Sequence, residues 1–447
     1  MKKISRRFFL GSVSALGSGM IFRPESIWAR DNKLDEKPVL LGGSKAFTGR
    51  YSRWPLADET EEQALIDTVR SRVWGRRLKN GPSDFFEKNY AKLLGVEHCL
   101  AVNSGTSALI TLLGALDIGP GDEVILPAYT FIATFNAVVM HKALPIIVDI
   151  DPESFQIDTR KMEAAITKRT KALLPVHIGG TPADLDTILS IAENHKLPVV
   201  EDACQAHLGE WKGKRVGTFG IGGAFSFQAS KNLNCGQGGA VVTNNDKFMN
   251  ACVGFHHQGA VLSDNPYAAG GVRGGNFRLT EFQAAILSAQ MTRLEQQARK
   301  RSENAVFLSK ILSEIPGMAP AKQYPGTTNS AYHLYMFRYD SNCFAGMTKT
   351  RFLEALSAEG VSCSGGYVPM DKDPRIAALI KNRHYLKMYG EKAMKEWLER
   401  ISCPQNKKVC DNTAIWLTQN TLLGSKTDME QIAEAIRKIQ KYAKELK

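Results

Sequence analysis

Phe225-Ser226-Phe227-Gln228-Ala229-Ser230-Lys231 places a lysine just beyond an apolar run, and Gly236-Gln237-Gly238-Gly239 then leads into a second apolar run, Ala240 to Thr243. Read outward from there, short strand-like runs recur at Cys99 to Val102, Val124 to Leu126, Pro145 to Val148, Ala172 to Val176, Leu197 to Val200 and Ala224 to Phe227. Helical patterns separate them near residues 106–116, 131–141, 159–168 and 184–195. Buried strands alternating with helices predict an α/β fold with a mostly parallel sheet, covered on both faces and with its ligands outside the carboxyl ends of the strands. A long helical pattern from Thr280 to about Ile315 precedes Pro316-Gly317, a turn-rich stretch and a mixed α+β tail. The expected organisation is a signal segment over 1–30, a large domain over 31–310 and a smaller C-terminal domain over 311–447.

At 447 residues with 43% apolar side chains, the chain is long enough for two or three domains and apolar enough to close a core, which excludes a disordered or fibrous protein. The net charge is +12, but Lys2, Lys3, Arg6, Arg7, Arg23 and Arg30 against Glu25 concentrate +5 of it in the first thirty residues. The remaining +7 is spread thinly, so nucleic acid is not an implied partner. Eight scattered cysteines without a Cys-x-x-Cys point to neither a zinc site nor a disulfide framework, and no metal is expected.

The segment after Met1 is basic and then weakly apolar, diluted by Gly11, Gly17 and Gly19 and too short for a stable membrane span. Ser5-Arg6-Arg7-Phe8-Phe9-Leu10 resembles a twin-arginine export signal, with Ala29 as a candidate last residue. The expectation is a periplasmic or exported protein, served by the twin-arginine machinery; a cytoplasmic protein with a basic tail is the alternative.

Three features fall at expected strand ends. Asn103-Ser104-Gly105-Thr106-Ser107 opens a helix, where free N–H groups suit a phosphate, although the same residues suit an ordinary N-cap. Glu201-Asp202 sets two acids past a buried strand, as apt for a cap as for catalysis. Lys231 is of the type that forms a Schiff base with an aldehyde once desolvation makes its amine nucleophilic. A phosphate cup, a carboxylate and a lysine are what pyridoxal phosphate requires of a protein.

The run from Trp74 to Ala285 resembles the DegT/StrS family of sugar aminotransferases, pyridoxal-phosphate enzymes of fold type I. The matching stretches are NGPSDFFEKNYAKLLG (80–95), NSGTSAL (103–109), GPGDEVILPAYTFIAT (119–134), EDACQAHLG (201–209), FSFQASKNLNCGQGGAVVT (225–243) and GGNFRLTEFQAAIL (274–287). AYHLY (331–335) and GVSCSGGYVP (360–369) extend the likeness into the C-terminal part. The resemblance implies a seven-stranded, mostly parallel sheet and pyridoxal 5'-phosphate as cofactor. It implies Lys231 as the Schiff-base lysine, Asp202 as partner of the pyridine nitrogen and Gln205 as partner of the phenolic oxygen. Phe131 would stack on the ring, and Gly105, Thr106 and Ser226 would seat the phosphate. Asn276 would reach the phosphate from a neighbouring subunit, making a homodimer with a shared site. His333, Arg278 and His207 are candidate substrate contacts, each with an ordinary structural reading beside it. Trp54, Trp74 and Tyr129 suit either a pocket wall or a core. Where the family pattern has a glutamate between the loop glycines, this chain has Gln237.

The function implied is amino transfer from glutamate or glutamine to a keto sugar or keto cyclitol, with FSFQASKNL and DACQAH closer to members acting on scyllo-inosose-type cyclitols than on nucleotide sugars. A sugar dehydratase is the alternative within the family, but its pattern has histidine where Lys231 stands. An exported, non-catalytic carbohydrate-binding protein on the same fold is the third reading.

Overall fold

The computed structural model describes residues 36–76, 80–259 and 273–447, so the signal reading of residues 1–30 lies outside the described residues. Seven strands build the central sheet: β1 (His98–Val102), β2 (Glu123–Pro127), β3 (Leu144–Val148), β4 (Thr170–Leu173), β5 (Val200–Asp202), β6 (Gly222–Ser226) and β7 (Gly239–Thr243). Their spatial order is β3-β2-β4-β5-β6-β7-β1, with β4 and β5 joined by the parallel bridges Leu173–Val199 and Val176–Asp202. Every strand runs parallel to the others except β7, which is antiparallel to both β6 and β1. The exception follows from the connection. A short loop over 227–238 turns the chain back on itself, whereas parallel neighbours need a helical crossover such as Ala133–Met140 between β2 and β3. The carboxyl ends of β1, β5 and β6 therefore share one edge, the start of β7 among them.

The strands are apolar on both faces because helices cover both. Leu100, Val124, Leu126, Ile146 and Leu173 are buried in one core with Leu109, Leu112 and Ile188 of the covering helices. A second sheet, β8 (Met318–Pro320), β9 (Leu334–Tyr339) and β10 (Ala414–Thr418), is antiparallel and carries its own core with the helices Lys349–Ala358 and Lys426–Lys441. The 33-residue helix Glu281–Ser313 is common to both halves: Ala284, Leu287 and Leu294 pack under the large sheet, and Leu308 and Leu312 under the small one.

Packing crosses the chain order on either side of residue 310. Phe47 sits in the small-sheet core, where Glu359 accepts the N–H groups of Val39 at 2.7 Å and Ala46 at 2.9 Å. In the other direction, Trp397 packs on the large sheet and donates its Nε1–H to the Pro145 carbonyl at 2.9 Å. Among the described residues no helix is long and apolar enough to cross a membrane.

Candidate active site

A cavity of about 530 Å³ opens at the carboxyl edge of the large sheet, closed on its far side by His333, Leu334, Tyr367 and Trp416 of the C-terminal part. The helix Gly105–Ala115 points its N-terminus into it, immediately after β1. Ser104 is the N-cap, its Oγ accepting from the Ser107 N–H at 3.0 Å, while the first-turn N–H groups of Gly105 and Thr106 have no acceptor within the helix. The cap and the free N–H groups that face the cavity thus belong to the same turn. Gly105 is required by close approach: a Cβ there would stand 2.6 Å from Ser226 Cβ and 3.0 Å from Cys204 Sγ. The ends of β5 and β6 and the helix start converge on that point.

Alternation along β5 separates the two acids, since neighbouring residues of a strand face opposite ways. Asp202 faces the cavity, accepting from Thr134 Oγ1 at 2.8 Å and from the Cys204 N–H at 3.2 Å. Glu201 faces the other side, where the N–H groups of Gly217, Phe219 and Gly220 and the His177 Nε2 surround it at 2.7 to 3.0 Å. His177 Nδ1 accepts from the Ala183 N–H at 3.1 Å, so Nε2 carries the proton it shares with Glu201. Burial raises the Glu201 pKa, but the His177 and backbone hydrogen bonds outweigh it and the net shift is downward. Glu201 is a clamp on the 217–220 loop, and Asp202 is the acid of the cavity.

Lys231 is half-buried, with Nζ 3.3 Å from His333 Nε2. Burial lowers its pKa, and the nearby Asp202 carboxylate works in the opposite direction. Gln205 is held at both ends, its Oε1 accepting from the Gly179 N–H at 2.8 Å and its Nε2 donating to the Tyr367 hydroxyl at 2.9 Å. Phe131 is 58% exposed on the cavity wall, an unusual place for a large aromatic unless a planar ligand covers it. Ser226 ends β6 beside Gly105, and Gln237 lines the rim.

The cavity lining therefore brings together Gly105, Thr106, Phe131, Asp202, Gln205, Ser226, Lys231 and His333. It does not include His207, Arg278 or Asn276. His207 is a core residue between Tyr90, Phe225 and Phe227: its Nε2–H donates to the Ser226 carbonyl at 2.8 Å and its Nδ1 accepts from the Tyr90 hydroxyl at 3.0 Å. Burial pushes its pKa down to about 4, so it is neutral and serves to anchor the end of β6. Arg278 donates Nε–H to Asn276 Oδ1 at 2.8 Å, and Asn276 is exposed away from this chain's cavity. Trp54, Trp74 and Tyr129 are also absent from the wall; Tyr129 lies one layer back, its ring 5.2 Å from that of Tyr367. Thr134, Tyr367 and Trp416 were not singled out from the sequence. Thr134 and Tyr367 lie inside the quoted stretches 119–134 and 360–369, but nothing in their spacing shows that they meet Asp202 and Gln205.

The chain matches the DegT/DnrJ/EryC1/StrS aminotransferase family over residues 56–413. It is 34% identical to the L-glutamine:2-deoxy-scyllo-inosose aminotransferase of Streptoalloteichus tenebrarius, over 92% of this chain and 100% of that one. It is 32% identical to the L-glutamine:scyllo-inosose aminotransferase of Streptomyces griseus, over 91% of this chain and 98% of the relative. Among solved structures it is similar to 3-amino-5-hydroxybenzoic acid synthase, with a TM-score of 0.76, 29% identity, and coverage of 87% of this chain and 98% of that one. With the strand order, the lysine beyond β6 and Asp202 ending β5, these matches place the chain in the DegT/DnrJ/EryC1/StrS aminotransferase family, as an enzyme that transfers amino groups on fold type I.

Proposed function

We propose that this enzyme binds pyridoxal 5'-phosphate and moves an amino group from L-glutamine to the ketone of a scyllo-inosose-type cyclitol. The observation that carries the reading is the convergence of a free helix N-terminus, Asp202 and Lys231 on one cavity. The residues present fit the cofactor: a cradle that a Cβ at Gly105 would fill, an exposed ring at Phe131, an acid and a half-buried amine. When bound, pyridoxal phosphate supplies the carbonyl that takes up and releases nitrogen and a ring able to accept electrons. Gly105 and Thr106 N–H and Ser226 Oγ would hold its phosphate, Asp202 its ring nitrogen and Phe131 its face. Gln205 has a second Nε2–H beyond the one given to Tyr367, which suits it to the phenolic oxygen. Thr134 fixes the Asp202 carboxylate and so keeps its charge aimed. Lys231, with its pKa lowered by burial, takes the proton from the substrate carbon and returns it on the other side of the exchange.

Among the described lining residues Asp202 and Lys231 are the only Asp, Glu, Lys or Arg side chains, and Phe131, Tyr367 and Trp416 supply the cavity's aromatic surface. This favours an uncharged polyol ring over a nucleotide sugar, whose diphosphate calls for added cations. The relatives' use of glutamine and inososes supports the same choice. Single-turnover absorbance measurements test it. L-Glutamine should change the visible spectrum of the holoenzyme, and scyllo-inosose or its 2-deoxy analogue should reverse the change where a keto nucleotide sugar does not. A spectrum indifferent to every amino acid would overturn the transaminase reading, and reversal by the nucleotide sugar alone would overturn the acceptor.

Two wider features belong to the same proposal. The twin-arginine resemblance of residues 5–10 supports export of the folded, loaded enzyme, which fractionation of the native host checks. A homodimer is supported by the exposed position of Asn276, by Phe85, 62% exposed in a groove between the helices Glu59–Ser71, Pro82–Leu94 and Glu281–Ser313, and by the exposed side chains of Ile66, Val69 and Trp74.

A further inference from the structure

The lysine loop, 227–238, leaves the large sheet after β6 and returns to it at β7. Its base is paired: the Phe227 N–H donates to the Gly238 carbonyl at 2.8 Å and the Ala229 N–H to the Gly236 carbonyl at 2.9 Å. Beyond that pairing the Lys231 N–H turns back to the Gln228 carbonyl at 2.8 Å, so the tip must be fixed from outside the loop. On one side Asn232 Nδ2 donates to the Ala331 carbonyl at 2.7 Å, two residues before His333. On the other, the Trp54 Nε1–H donates to the Ala229 carbonyl at 2.9 Å, two residues before Lys231. Among the described residues that carbonyl takes no other donor.

Trp54 is half-buried and belongs to none of the apolar cores, so packing alone does not account for it. The segment that carries it is fastened on either side. Asn420 Nδ2 donates to the Ser52 carbonyl at 3.0 Å, and Gln290 Nε2, from the long helix, donates to the Leu56 carbonyl at 2.6 Å. Between these points the Trp54 ring lies 5.2 Å from the guanidinium carbon of Arg301, on the same helix. Arg301 is fully buried, and Gln419 Oε1 accepts its Nε–H at 2.9 Å and its Nη2–H at 2.6 Å, which gives the indole a fixed seat. Burial lowers the Arg301 pKa to about 9, leaving it charged near neutrality, and a desolvated cation is attracted to an indole ring. Each link from Gln419 through Arg301 and Trp54 to the lysine loop is a direct contact.

We propose that Trp54 is a positioning residue for Lys231: its indole N–H holds the Ala229 carbonyl and so fixes the backbone from which the lysine reaches the substrate carbon, while Arg301 holds the indole. The proposal rests on the reading of Lys231 as the amine that moves the proton. A lysine side chain is a flexible four-carbon stem, so the fold controls its amine chiefly by fixing where the stem begins. A shift of about 1 Å at that point can cost on the order of a hundredfold in rate.

The test compares the parent enzyme with Trp54→Phe, which keeps an aromatic ring beside Arg301 and removes the N–H. Hydrogen–deuterium exchange, with and without cofactor, should show the amides of residues 230–234 exchanging about tenfold faster while the sheet strands keep their protection. At saturating L-glutamine the rate of the spectral change per bound cofactor should fall on the order of tenfold, with the half-saturating concentration unchanged within about twofold. A purely structural defect would instead lower the amount of bound cofactor and leave the rate per bound cofactor as it was. Arg301→Met, which fills a comparable volume without charge, should move both measurements the same way, and it decides the question if Trp54→Phe fails to fold. Unchanged exchange in the lysine loop, or faster exchange with an unchanged rate per bound cofactor, overturns the proposal. The reading of Lys231 fails separately, if Lys231→Ala keeps its turnover and its visible absorbance, and that result would not touch the exchange of the loop.

Discussion

At the scale of single residues, the site depends on what is missing as much as on what is present. Gly105 is where the helix start, β5 and β6 meet, and the atoms a Cβ would strike belong to Ser226 on a strand and to Cys204 beside Asp202. Neither is the loose end of a long side chain, so relief would have to come from the backbone that also points the free N–H groups at the cavity. Gly105→Ala is therefore expected to fold but to bind pyridoxal phosphate at least about tenfold more weakly, roughly 1.4 kcal/mol, as measured by titrating apoenzyme with cofactor and following absorbance. An unchanged Kd would remove Gly105 from the phosphate seat. His207 shows the opposite case. A histidine two residues after Gln205 in the DACQAH run invites a substrate role, but its ring is spent on Tyr90 and Ser226 and its low pKa keeps it neutral. Residue type and spacing do not reveal this, because both partners come from elsewhere in the chain.

At the scale of elements, β5 shows how one short strand serves two purposes. Its period of two sends Asp202 into the cavity and Glu201 into a cage of three backbone N–H groups and His177. Because the folded pKa of Glu201 lies below its ordinary value, its contribution to stability is complete above the ordinary carboxylate range and is lost as the pH falls through the folded pKa. Glu201→Gln should cost about 3 kcal/mol near neutrality, because an amide cannot satisfy all those donors. It should also flatten the acid side of the stability curve between about pH 7 and pH 3, as measured by thermal unfolding across that range. A parallel downward shift of the whole curve would show that the charge is not what matters. The same strand marks what was legible in the sequence. Apolar runs bounded by turns gave all seven strands, because burial on both faces leaves a continuous apolar signature, and the boundaries slipped by a few residues where the pairing stops before the apolar run does, as at Ala172–Val176, whose strand is Thr170–Leu173. The far wall was not legible, since Gln205 and Tyr367 meet across 162 residues of chain and neither neighbourhood encodes the other.

At the scale of the whole molecule, the two cores are laced together by segments that cross the chain order, Phe47 into the small-sheet core and Trp397 onto the large sheet, with the long helix running through both. Such crossing is invisible to composition, which changes only gradually near residue 310. The arrangement fixes the cavity between the halves and leaves its outer side, toward Gln237 and Phe131, open for completion. Asn276 is exposed and does not line this cavity; it is bridged to His257 and held by Arg278. If it serves the phosphate seat of a second copy, each complete site takes Lys231 from one chain and Asn276 from the other. Lys231→Ala and Asn276→Ala homodimers should then both be nearly inactive, for different reasons. Mixed under conditions that allow subunit exchange, they form hybrids in which one site carries both substitutions and the other carries neither. Random exchange makes half the dimers hybrid with one intact site each, so about a quarter of parental activity should return. Native mass spectrometry would verify the hybrids. Verified hybrids without any recovery would mean that Asn276 acts within its own chain or not at all, and the site would have to be complete in one subunit.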